Sequence, residues 1–207
     1  MTGFYLLLGL VAVVLIVGFY FLRLISKRRD LRESLELGLL FIRIPKEANA
    51  QGAQEKEVKF KAELANFEQL LSNLASFKKT FVFEVAVPHV GEEIHFYLAV
   101  PKVVAHAAQS QVQSLWSGAS VALVSDDYSI FNPQGTVASA YLLLKENYSL
   151  PIRTYSELNA DSFASIAGGF AKISEVGEGA AMQVILKSAG ANPKRKIHGF
   201  IRFLKRG

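Results

Sequence analysis

Four short clusters in this chain have residue types that can do chemistry. His89, Glu92, Glu93 and His95 lie within seven residues of one another. Two imidazoles and a carboxylate make a zinc-type ligand set. The same residues surround Gly91, and an exposed polar turn accounts for them equally well. Ser76 and Lys79 have the S-x-x-K spacing of a serine nucleophile with a lysine partner, but the companion motifs of that enzyme class are missing. Asp126-Asp127 has the charge to bind a divalent cation and also the composition of a solvated turn. Gly168-Gly169 falls in the middle of a helical stretch, whereas a phosphate cradle wants its glycines at the helix start. The pair therefore implies close packing on a sheet or a kink. His106 sits one place off an apolar stripe and reads as a solvent-edge residue.

No GxxxxGK[ST] occurs, and no GxGxxG follows a strand, so neither phosphate-binding loop is present. The chain has no cysteine, which removes thiolate nucleophiles, thiolate zinc sites and disulfides. No full catalytic constellation emerges, and the expectation is a chain without catalytic, cofactor-binding or metal-binding residues.

The elements that would carry these residues read in order. ELGLLFIRI (36–44) is a short apolar run that ends at Pro45 and reads as a strand. Phe60, Leu64, Phe67, Leu71 and Leu74 recur at helical spacing, which predicts an amphipathic helix ending near Phe77. Phe81, Phe83, Val85 and Val87 then alternate with Val82, Glu84 and Ala86, a strand pattern. PHVGEEI (88–94) is a turn, and HFYLAV (95–100) is the returning strand of a hairpin. Pro101 opens a helix with Val104, Ala108, Val112 and Leu115 in its stripe. SVALV (120–124) is a strand, SDDYSIFNPQG (125–135) a loop, and VASAYLLLK (137–145) a longer strand. A helix capped by Asn159 or Asp161 turns Phe163, Ile166, Phe170 and Ile173 inward, and AAMQVILK (180–187) is a last strand. The order is β-α-β-β-α-β followed by β-α-β. Its first six members match the split βαβ, or ferredoxin-like, arrangement. The expected class is α+β, with helices on one face of a mostly antiparallel sheet.

Two ends flank this body. Phe4 to Leu22 is 19 residues without a charge. A bilayer core about 30 Å thick needs about 20 apolar residues at a rise of about 1.5 Å each. Arg23, Lys27, Arg28, Arg29 and Arg32 follow at once, and such a basic flank keeps its side in the cytoplasm. A cleaved signal would carry its basic residues before the apolar run and a small-x-small site after it. Gly9 and Gly18 are nine apart, so the run has no GxxxG face.

The formal net charge of +5 hides an uneven distribution. Residues 23–32 are net +4, residues 190–207 are net +6, and residues 33–189 are net −5. A nucleic-acid-binding domain would show its basic footprint on the folded body, so direct nucleic-acid binding is not expected. In the tail, Ile197, Phe200, Ile201 and Leu204 fall at helical spacing among Lys194, Arg195, Lys196, Arg202, Lys205 and Arg206. That pattern fits a membrane-surface element, a helix packed on the body, a final strand or a disordered end. The chain thus divides into an anchor with its basic flank (1–32), a cytoplasmic α+β domain (33–188) and a basic amphipathic tail (189–207).

Four blocks carry a resemblance: FVFEVAVPHVGEEIHFYLAVP (81–101), DDYSIFNPQG (126–135), AYLLLKENYSLPIRTYSEL (140–158) and EGAAMQVILK (178–187). They resemble the uncharacterised N-terminal domain found ahead of type IV secretion or conjugation-type DNA-translocating ATPases in some bacteria. The resemblance covers residues 33–188 with the anchor and flank, and the hairpin block is its most specific part. It implies an inner or plasma membrane location and a neighbour that is a P-loop translocation ATPase. It transfers no catalytic residue. In the longer relatives an ATPase follows, and NPKRKIHGFIRFLKRG (192–207) does not begin one. The expectation is a membrane-anchored interaction domain. The alternative is a peripheral module that grips anionic lipid through flank and tail.

Overall fold

The computed structural model describes residues 13–26, 28, 36–45, 53–89, 93–125, 128–147, 150, 162–173, 177–189 and 191–205. The chain falls into two units, Met1–Leu37 and Gly38–Gly207. In the first unit residues 13–26 form a helix, α1, and every one of them is exposed. Val13, Leu15, Ile16, Phe19, Tyr20 and Leu22 each show more than half of their surface. Among the described residues no helix is long and apolar enough to cross a membrane. Residues 4–12 of the uncharged run lie outside the described residues, so α1 is only part of it.

The second unit is α+β, as the pattern of its elements predicts. Strands β1 (Leu37–Arg43), β2 (Thr80–Val87), β3 (His95–Pro101), β4 (Ser120–Val124) and β5 (Ala180–Lys187) form one sheet in the order β4-β1-β3-β2-β5. β1 pairs with β4, β2 with β3 and β2 with β5, each antiparallel. The first four strands stand in split βαβ order, and β5 extends the sheet beyond β2.

Helices α2 (Ala53–Ser76) and α3 (Ala105–Leu115) supply the core of one face. Leu70 and Leu74 of α2 meet Ala105, Ala108 and Val112 of the α3 region, with Leu40, Phe81, Leu98, Val100 and Val121 beneath them. The Asn73 amide donates to the Gln111 side-chain oxygen at 2.6 Å, and the Trp116 indole N–H donates to Glu63 at 2.6 Å. Both bonds tie α2 to α3. The buried stripe of α2 is narrower than its sequence suggests. Leu70 and Leu74 are buried and Phe67 reaches the Phe83 ring at 5.2 Å, but Phe60 is 53% exposed. The first turns of α2 carry the pattern without the burial. The helix ends at Ser76, and two residues on Lys78 has a left-handed φ of 53°, the place where a glycine is usual.

Two expectations are corrected. Val137–Lys145 is not a strand: residues 136–144 run without a turn, bend, helix or ladder, and all are exposed. The run has a strand's residues but, among the described residues, no neighbour paired with it, and strand propensity expresses fit to such a neighbour. Helix α4 (Ser162–Phe170) forms and buries Phe170, but Ile166 is 39% exposed. Among the described residues a Cβ at Gly168 or Gly169 would meet nothing within 4 Å, so neither glycine packs closely on the described sheet. Helix α5 (Ala191–Leu204) occupies the tail, which is therefore helical and not a strand.

Candidate functional site

The face of the sheet opposite α2 and α3 carries its polar chemistry. Strand alternation puts Phe41 of β1, Tyr97 and His95 of β3, Glu84 of β2 and Gln183 of β5 on this side. Glu84 lies across from Tyr97 on one neighbour and from Gln183 on the other. It is only 8% exposed and is the one polar residue among the buried side chains described. A buried carboxylate needs donors, and both of its oxygens have one. The Tyr128 hydroxyl donates to Oε2 at 2.6 Å, and the Gln183 amide donates to Oε1 at 3.1 Å.

Tyr128 comes from the loop after β4. Its ring stacks on Tyr97 with centroids 4.6 Å apart and planes 7° apart. Phe41 adds a ring 5.2 Å from Tyr97 and 4.9 Å from His95, and the Arg43 guanidinium covers Phe41 at 4.6 Å. His95 Nδ1 lies 3.1 Å from the Tyr97 hydroxyl oxygen. The loop is held further along as well. The His89 backbone N–H donates to the Ser129 carbonyl at 3.2 Å, and the Asn132 amide donates to the Gly177 carbonyl at 3.2 Å. Gly177 has a φ of +106°, and a Cβ at Gly179 would lie 2.5 Å from the Ile130 carbonyl oxygen. The chain needs glycine at both places for the two loops to meet.

This arrangement closes a loop over the sheet and fixes β5 to β2. Its donors and acceptors answer one another: carboxylate to phenol and amide, ring to ring. Hydrogen bonds to a charged partner contribute about 1.5–3 kcal/mol each.

The hairpin-tip cluster does not assemble in the same way. His89 Nδ1 faces the Ser129 carbonyl at 2.9 Å, away from His95, and His95 Nε2 is 3.7 Å from Glu93. Glu92 lies outside the described residues, as do Asp126 and Asp127. Among the described residues no group of three or more His, Cys, Asp or Glu is placed to hold a metal ion. The Ser76 hydroxyl donates to the Asn73 carbonyl at 2.6 Å, the ordinary bond of a serine in a last helical turn. His106 is exposed, as its place off the stripe predicts.

The basic ends are placed in part. Arg23 and Arg28 are exposed, while Lys27, Arg29 and Arg32 lie outside the described residues. In α5, Lys194, Arg195, Lys196 and Arg202 are exposed, as is Lys205 just beyond it, and Phe200 is half-buried. Arg206 lies outside the described residues. Arg195, Lys196, His198, Ile201, Arg202 and Lys205 line one open hollow. Arg195, His198, Arg202 and Lys205 are spaced three, four and three apart, which gathers them on one side of the helix. Ile197, Phe200 and Leu204 make the adjoining stripe.

Glu84, Gln183 and Tyr128 escape a search for catalytic spacing. The signal is a lone polar residue inside an otherwise apolar strand: Glu84 in FVFEVAV and Gln183 in AAMQVILK. No family model, no curated protein and no solved structure matches this chain.

Proposed function

We propose that this chain is a single-pass, membrane-anchored interaction module without catalytic activity. The observation that carries the reading is the uncharged run Phe4–Leu22 followed directly by Arg23, Lys27, Arg28, Arg29 and Arg32. The exposed apolar side chains of α1 are consistent with it. In this reading the α+β unit lies in the cytoplasm and offers its surface to a protein partner. The resemblance set out above makes that partner a P-loop translocation ATPase of a secretion or conjugation machine. Tethering confines diffusion and raises the effective concentration of two partners without any new contact.

The test uses the tagged full chain in its native membranes. Alkaline carbonate should leave it in the pellet, and protease added to the cytoplasmic side should digest residues after 32. Detergent extraction and affinity purification should then enrich a protein carrying GxxxxGK[ST]. Release by carbonate refutes the anchor. Recovery of the chain with lipid alone refutes the ATPase partner.

The second reading is a grip on anionic lipid, and the basic side of α5 favours it. Each Lys or Arg close to an anionic surface contributes about 1 kcal/mol, screened by salt. Vesicles rich in phosphatidylserine should bind a peptide of residues 189–207 and release it as salt rises. Reversal of Lys194, Arg195 and Lys196 to Glu should abolish this binding. Equal binding to neutral vesicles refutes the electrostatic form of the reading.

A further inference from the structure

Residues 137–144, VASAYLLL, are the most conspicuous unused surface of the second unit. Val137 is 59% exposed, Tyr141 84%, Leu142 93%, Leu143 80% and Leu144 59%. These eight residues include no charge, no proline and no glycine. An uncharged, exposed run of β-favouring residues invites pairing with another strand.

The same chain carries the surface that would receive it. Among the described residues β5 is an edge strand, paired only with β2, so its outer row of N–H and C=O groups faces away from the sheet. It is eight residues long, the length of the free run, and it carries no charge before Lys187. Its Val184 and Ile185 are 42% and 66% exposed. The opposite edge is a poorer acceptor. β4 has only five residues, and the Gln109 side chain already donates to its Val121 carbonyl at 2.8 Å.

Charge selects the direction. An antiparallel pairing of 137–144 with β5 brings Lys145 beside Glu178, whereas a parallel one brings Lys145 beside Lys187. The first places opposite charges together and the second repels. In the antiparallel register that sets Val137 opposite Lys187, Tyr141 falls opposite Gln183 and continues the polar-aromatic row of Glu84, Tyr97 and Tyr128.

We propose that residues 137–144 are a donor strand and that β5 of a second copy of this chain is its acceptor. Each copy has one donor and one acceptor, so two copies can exchange strands reciprocally and close as a dimer. Each copy then contributes its strand and its edge, about sixteen residues against the roughly 20–30 per side of a standard interface. An interface of that size is helped by confinement to a shared surface.

The experiment measures the mass of the purified full chain in detergent micelles, corrected for bound detergent. The wild type should be a dimer. Leu142→Pro removes a ladder donor from a run that is unpaired in the single chain, and Ile185→Lys puts a charge on the acceptor edge. Each variant alone should be a monomer with an unchanged circular dichroism spectrum. Mixed in equal amounts they should form a heterodimer, since one keeps its acceptor and the other its donor. A monomeric wild type overturns the proposal. So does a dimer that persists in Leu142→Pro, which would place the contact in another surface. A mixture that stays monomeric overturns the reciprocal pairing. A wild-type monomer whose 137–144 amides resist hydrogen exchange would mean that the run closes on its own edge.

Discussion

β2 and residues 137–144 are each eight residues long, largely apolar and β-favouring, and their fates are opposite. In β2, Phe81, Val82, Val85, Ala86 and Val87 are all 9% exposed or less. In the free run Leu142 keeps 93% of its surface. β2 sits between β3 and β5 with a ladder on each side, and its buried residues lie on both faces. The run 137–144 has the same kind of residues and, among the described residues, no strand beside it. The lesson is that burial follows from neighbours, and that a strand's composition states a demand for one.

Substitutions can break or sharpen this contrast. The largest effect belongs to β2. Phe81→Ala should destabilise the full chain by about 3–5 kcal/mol, read from urea unfolding in detergent, because it leaves a cavity under α2. A loss below about 1 kcal/mol would mean that the helical layer is not packed as described. Tyr128→Phe comes next. It removes one of the two donors to Glu84 and should cost about 1.5–3 kcal/mol, with tyrosine fluorescence checking that the loop has lost its fixed seat. If stability is unchanged, water replaces the phenol and the loop is not pinned by it.

Lys78→Gly should act in the other direction. It relieves a left-handed residue at the end of α2, just before β2, and should raise stability by about 1 kcal/mol. The smallest effect belongs to the free run. In dilute chain Leu142→Ala should change stability by less than about 0.5 kcal/mol, since the side chain touches little. A penalty that grows with protein concentration would instead report association, because binding to the folded state stabilises it by mass action.

The contrast also explains what was legible in the sequence. The apolar alternation of FVFEVAV and the 3–4 spacing through Leu71 and Leu74 follow from backbone period, so the element order from β1 to β4 and the helix-covered face could be read directly. VASAYLLLK gave the same signal without the partner, and no local pattern records whether a partner is present. Phe60 shows the limit on the helical side, since it continues the stripe and yet is 53% exposed. Gly168-Gly169 reads as a packing or kink site, yet the described residues leave open space there, because the space around a glycine is a tertiary property. The candidate site was hidden for a related reason. His89 and His95 are close in sequence but turn to different partners, while Glu84 and Gln183 are 99 residues apart and meet across a ladder. Their joint role depends on strand order.

The bond from Trp116 to Glu63 makes the chain its own optical gauge. Trp116 is the only tryptophan, and its indole bridges α2 and the end of α3. Its emission reports the docking of those two helices and no other tryptophan contributes background. A shift to longer wavelength marks the opening of the helical layer, and neither the donor run nor α5 carries an indole to confuse it. One fluorescence trace therefore separates unfolding of that layer from separation of two copies, which leaves the indole where it is.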